Sequence, residues 1–434
     1  MGKRLDVQLE VDRAQLLLCM SEAMELACPT LAGHQKRVAF IAGEIAAVLD
    51  LPEVLRRRLF VAALLHDVGA LSPEEKMDLY ASKVEECDTH CIRGARLLHQ
   101  VDGFGEEGRV LRLHHATLRD GSLADVDEDT ARLAQIVHLS DLVDRALDRG
   151  RYVLHQADTM CDMARDLARC DFEVSIVRAF LEVARREDFW LQMVLPTLGQ
   201  HLEAISPCRG EMLDACGVEV HAGLVQGMVD FRSSFTAAHS AGVAEAADAL
   251  GGYCDLSPER RVVLRIAGLL HDLGKMAVPT SILEKPSGLT KAEFAFMRQH
   301  TFHTYRLLRG VDGLGGMAAW AAYHHEKLDG SGYPFHLEGR ALDPQARIIG
   351  VADIFTAMAE DRPYRKGQGR EGVLRVLRDE CTTGRVDGEL VETVAESYPD
   401  MVGRVLDAQH AARSRFSDVL QPAGEKGAKA DQST

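Results

Sequence analysis

The chain is short of positive charge, strand patterns, paired cysteines and long apolar runs, and each shortage excludes a class of protein. A formal net charge of -16 over 434 residues repels phosphate polymers and argues against nonspecific nucleic-acid binding. Any phosphate-bearing ligand would need a local cationic pocket. No run reaches the eighteen or so uncharged apolar residues of a membrane helix. The opening residues, Met1 to Glu10, hold no apolar core of signal-peptide length, so a cytoplasmic location is expected. Ten cysteines are scattered, with only Cys87 and Cys91 close together and no CxxC pair. Reduced core thiols are therefore preferred over disulfides or a thiolate zinc site.

What is present is ample apolar content, 46% of residues, arranged at helical spacing. Ala14 to Ala27, Val38 to Leu49 and Val54 to Leu65 each place apolar residues three and four apart. The expected fold class is all-α, and the length suits two to three domains. The stretch that organises the rest is Ile266 to Lys275. There an apolar helical run ends in adjacent His271 and Asp272, Gly274 is expected to stop the helix, and Lys275 follows. Alone, such a pair is weak evidence for a metal site. It gains weight from His239 upstream and from His300, His324, His325, Glu326 and Asp353 downstream, each at an expected helix end or inward face.

The first 150 residues carry the same residue types in the same order: His34, His66, Asp67, His90, His114, His115 and Asp141. His34 and His239 are 205 residues apart, as are His66 and His271; the pairs His90/His300 and His114/His324 are 210 apart, and Asp141/Asp353 212. Two changes of offset over five landmarks mark an internal duplication. Between the copies, residues 151–205 are apolar-rich and broken by Pro196, and read as helices that pack the two halves together. The end, 416–434, is small and polar and is expected to fray.

The pattern His239, His271-Asp272, His300, His324-His325, Asp353 resembles the HD superfamily of metal-dependent phosphohydrolases. With Asp329-Gly330-Ser-Gly332-Tyr333-Pro334 it resembles the HD-GYP subfamily of cyclic dinucleotide phosphodiesterases over about 210–415. The resemblance implies tandem HD bundles with a helical connector: a degenerate, regulatory domain over 1–150, the connector over 151–205 and a catalytic domain over 206–415. It also implies two divalent ions, iron or manganese before others. His239, His271, Asp272 and Asp353 would hold one; Asp272, His300, His324 and His325 would hold the other, with Asp272 bridging. Such a pair, about 3.5–4 Å apart, generates hydroxide at neutral pH and clamps phosphate oxygens, and imidazole with carboxylate suits these metals. Some members place an acidic residue four positions before the first His and gather a third ion; here Phe235 stands there, so two ions are expected.

By the same resemblance Lys275 meets the scissile phosphate or protonates the departing oxygen, although a cation after a helix end also suits the macrodipole. Arg362 and Arg365 would grip phosphate as bidentate forks, or form a solvated charge run. Gly330, Gly332 and Pro334 form turns, and Tyr333 offers an aromatic face to a guanine or to a protein partner. Glu326 either orients a ligand imidazole or is a surface carboxylate. A homodimer is compatible with this reading.

The first copy keeps every ligand type, yet Ala70 replaces the lysine and no Tyr-Pro follows His115. It reads as a regulatory or structural module or as a second phosphohydrolase, and ion binding stays open. No receiver, PAS or GGDEF-like segment supplies an input. The expected activity is linearisation of cyclic di-GMP to pGpG and onward to GMP. The alternatives are the same chemistry on 3′,3′-cyclic GMP-AMP, or a non-catalytic cyclic dinucleotide sensor.

Overall fold

A computed structural model describes residues 9–26, 28, 31–70, 72, 75–77, 88–230, 232, 238–361 and 366–420. Among these, strand is confined to an antiparallel pair of two-residue segments, Val11–Asp12 and Met212–Leu213, and the rest is helix and connection. The chain forms two compact units.

The unit holding the second copy comprises residues 1–36, 72–77 and 196–412. Its helices begin where short polar side chains can take up unpaired backbone donors. Asp12 accepts from Ala14 N and Gln15 N ahead of Arg13–Glu25. Ser257 caps Pro258–Leu270, whose first-turn proline needs no donor. Thr290 and Glu293 form a reciprocal capping box at the head of Lys291–Arg309. The helix His239–Tyr253 is rich in alanine and glycine, and that composition decides its packing. A Cβ added to Gly268 of Pro258–Leu270 would stand 2.7 Å from Ala244 Cα, so the two backbones touch. The buried helix Pro344–Ala359 lies on the other side, with Thr356 against Gly242. Side chains this small bring three helices close enough for short His and Asp side chains to meet.

The other unit comprises residues 37–71, 78–195 and 413–434. It contains Glu53–Leu65, Asp88–His99, Gly105–Arg112 and Glu128–Ala146. The stretch expected to pack the two halves together is divided: its residues up to Leu195 group with this unit and those from Pro196 with the other. The cause is an aromatic core. Phe189, from Glu187–Met193, stacks on Phe40 at 5.5 Å and meets Trp190 at 5.0 Å, and Phe180 from Val174–Val183 closes on Trp190 at 6.3 Å. The end expected to fray from 416 is helical as far as Leu420. The helix Gly388–Leu420 continues through 416–420, its end held by Gln100 Nε2 donating to Arg415 O at 3.0 Å. Residues 421–434 lie outside the described part.

Candidate metal centre

Three histidines of the second copy are set by one local device. His271, His300 and His324 each place Nδ1 at 2.6–2.7 Å from the carbonyl three residues earlier, Gly268, Met297 and Ala321. A ring nitrogen bonded to a carbonyl carries a proton, which in a neutral ring leaves the Nε2 lone pair facing inward. His300 Nε2 and His324 Nε2 then face each other at 3.2 Å, two acceptors with no proton of their own to share. Burial keeps both neutral, with His300 pushed down to about 3 and His324 well below its ordinary value. His325 beside them falls to about 4, again through burial.

Asp272 sits among these rings. Its Oδ2 lies 3.1 Å from His271 Nε2 and accepts from Lys275 Nζ. Its Oδ1 is buried with no hydrogen bond, 3.5 Å from His300 Nε2 and 4.0 Å from His324 Nε2. Burial alone would raise this carboxyl, but the neighbouring His271 and Lys275 hold it well below the usual carboxylate range. A buried anionic oxygen without a donor, faced by the inward lone pairs of His300 and His324, is a site shaped for a cation. The donors fall into three overlapping groups, His239/His271/Asp353, His271/Asp272/His324 and His300/His324/His325, each with ligand atoms within 4.8 Å of one another. The residues present therefore fit a divalent metal.

His239 differs from the rest. Its Nε2 is 3.0 Å from Asp353 Oδ1 and its Nδ1 3.2 Å from Glu360 Oε2. Burial opposes its charged form, but Glu360 and Asp353 outweigh that and raise it to about 10. Gln409 Nε2 donates to the same Glu360 oxygen at 3.1 Å. The sequence reading missed Glu360, although it lies seven residues after Asp353, two turns along one helical face. Gln409, far along the chain, left no signal.

Some expectations need revision. The helix before the His-Asp pair ends at Leu270, with His271 as its cap and a 3-10 turn, Leu273–Ala277, following. Gly274 is not the stop. A Cβ there would lie 1.9 Å from His300 O, so its absence lets the turn touch the next helix. Buried Arg232 holds the turn, donating to the carbonyls of Lys275, Met276 and Val278 at 2.6–3.0 Å. Glu326 is neither a surface carboxylate nor an imidazole partner. Buried, it accepts from Phe335 N at 2.7 Å and Leu337 N at 3.0 Å, tying down the loop that carries Gly332, Tyr333 and Pro334. Gly332 packs against the Glu326 and Lys327 backbone, leaving 2.4 Å for a Cβ. The Tyr333 ring lies 5.0 Å from His325. Arg362, Arg365 and Phe235 lie outside the described residues.

In the first copy His66 and His114 repeat the carbonyl device with Ala63 and Leu111, at 2.9 and 2.7 Å. His90 Nε2 and His114 Nε2 again face at 3.2 Å, and Asp67 Oδ1 is 3.7 Å from His90 Nε2. Gly69 repeats the role of Gly274: a Cβ there would lie 2.0 Å from His90 O. His115 is pushed down to about 3 by burial. Asp141 lies 3.9 Å from His66 Nε2 and accepts from Arg145 at 3.2 Å. His34 is buried in the first turn of His34–Val48.

An HD-domain family profile matches residues 31–146 and a second matches 223–390. The chain belongs to the HD superfamily, with two copies of its domain. A 3′3′-cGAMP-specific phosphodiesterase of Vibrio cholerae is 28% identical over 91% of this chain and 94% of its own. A cyclic di-GMP phosphodiesterase of Pseudomonas aeruginosa is 35% identical over 49% of this chain and 52% of its own. The crystal structure of a cyclic GMP-AMP-specific phosphodiesterase of V. cholerae superposes with a TM-score of 0.60 at 21% identity, covering 94% of this chain and 98% of that one; it shares the fold of the two HD domains. Among the described residues no helix is long and apolar enough to cross a membrane.

Proposed function

We propose that the C-terminal HD domain is a metal-dependent phosphodiesterase that opens a cyclic dinucleotide by water. The observation that carries this is Asp272, a buried carboxylate with one oxygen unbonded inside a ring of imidazole lone pairs. Two divalent ions held by His239, His271, Asp272, His300, His324, His325 and Asp353 would supply Lewis acidity and a lowered water pKa. Iron or manganese suits a donor set of nitrogen and oxygen alone.

The chain's own residues do the rest. The carbonyl bonds of His271, His300 and His324 fix their tautomers, and Glu360 does the same for His239. Lys275, whose ammonium rests on Asp272, is the nearby cation for a phosphate oxygen and the proton source for the leaving group. Water adds to phosphorus, the bond from phosphorus to the 3′ oxygen breaks, and that oxygen takes a proton. A linear dinucleotide with a 5′ phosphate results. Tyr333, its ring against His325, offers a face for a base, and Arg362 and Arg365 are proposed to grip the second phosphate.

Between substrates, similarity along almost the whole chain to a 3′3′-cGAMP-specific enzyme favours 3′,3′-cyclic GMP-AMP. Similarity of the C-terminal half to a cyclic di-GMP enzyme supports the other reading. Product formation from each dinucleotide by iron- or manganese-loaded protein tests both. Turnover of one or both is expected; tight binding without product would make this domain a sensor instead.

A further inference from the structure

The N-terminal copy keeps the HD donors but redistributes the charge around them. Arg145 bonds Asp141, whereas Ala357 stands four residues after Asp353 in the other copy. The carboxylate that would serve an ion beside His66 is thus already neutralised. Ala70 likewise replaces Lys275, so the ammonium that rests on Asp272 has no counterpart at that position.

On the opposite side of the cluster a new donor appears. Cys91 is buried, its Sγ 3.6 Å from His90 Nε2 and 3.5 Å from His114 Nδ1. Its counterpart is Thr301, whose hydroxyl donates back along its own helix to Arg298 O at 3.0 Å. His90, Cys91, His114 and His115 offer ligand atoms that all lie within 4.8 Å of one another. A tetrahedral zinc ion with bonds of about 2.3 Å to sulfur and about 2.0–2.1 Å to nitrogen spaces its sulfur and nitrogen ligands about 3.5 Å apart and its nitrogens about 3.4 Å. The observed 3.6 Å from sulfur to His90 Nε2 and 3.2 Å between His90 Nε2 and His114 Nε2 lie close to those spacings; His114, whose Nδ1 stays on Leu111 O, would ligate through Nε2.

We propose that the N-terminal HD domain holds a single zinc ion on His90, Cys91, His114 and His115. Four protein ligands close the coordination shell, which makes the site structural rather than hydrolytic. One thiolate shifts its preference toward zinc, while the all-nitrogen-and-oxygen cluster of the C-terminal domain suits harder ions. One chain would then carry two kinds of metal.

Cobalt(II) substitution of the full-length protein reads this out, because only a thiolate ligand gives a sulfur-to-cobalt charge-transfer band in the near ultraviolet and the C-terminal cluster has no thiol. The expected result is a band of one thiolate per chain, abolished in Cys91→Thr, the residue the other copy uses. Absence of the band in the unmutated chain, or its persistence in Cys91→Thr, overturns the proposal. Zinc X-ray absorption on the unmutated chain decides the matter without any variant: one sulfur at about 2.3 Å with three nitrogens is expected, and a shell of nitrogen and oxygen only refutes it.

Discussion

Among the histidines proposed as ligands in the second copy, His239 is the one held on both ring nitrogens by carboxylates, Asp353 and Glu360. Its pKa of about 10 means that it is protonated at neutral pH in the metal-free chain. Since a folded pKa above the unfolded value of about 6.5 favours the protonated native state, this stabilisation is complete below about pH 6.5. It is lost as pH rises through 10. A metal ion must displace that proton, so loading should release one proton from His239 per chain and strengthen with pH across the neutral range. Calorimetric titration of manganese in buffers of different ionisation enthalpy measures the release; equal heats in all buffers would contradict it. Glu360→Gln keeps the shape and removes the charge. Metal affinity should fall about 10- to 100-fold by comparison with other outer-shell changes, read by competition with a chelator.

At the scale of elements, contacts between backbones position the ligands. Gly274→Ala would drive a Cβ into His300 O at 1.9 Å and separate the 3-10 turn from Lys291–Arg309. A loss of about 1–3 kcal/mol is expected from such overpacking, visible as a lower Tm. Glu326→Ala removes the acceptor of two backbone N–H groups, each worth about 1–3 kcal/mol if left unsatisfied. Limited proteolysis should then cut between Glu326 and Glu338 sooner than in the unmutated protein, and equal cutting rates would show that the tie is idle. Sequence patterns disclosed which His and Asp side chains gather, their order and the helices that bear them, because donor residue types and helical periodicity are both written locally. They did not disclose why Gly274 is there, what Glu326 holds or that Cys91 faces two imidazoles. Those roles depend on segments that meet only after folding.

The whole molecule is a duplication whose copies have diverged in charge rather than in helix order. The second keeps Lys275 on its central aspartate; the first has Ala70 in that place and sets Arg145 on its last one. The offsets near 205–212 residues made the duplication legible. The assignment of the connector was not, because the contact of Phe189 with Phe40 has no periodic trace. Asp272 is the group around which the second copy is proposed to assemble its ions. Metal content measured together with turnover in Asp272→Ala tests it most directly. The prediction is loss of about two ions per chain, as a two-metal site requires, and of all cyclic dinucleotide hydrolysis, with any ion of the N-terminal domain retained. Undiminished hydrolysis with an unchanged ion count would contradict it.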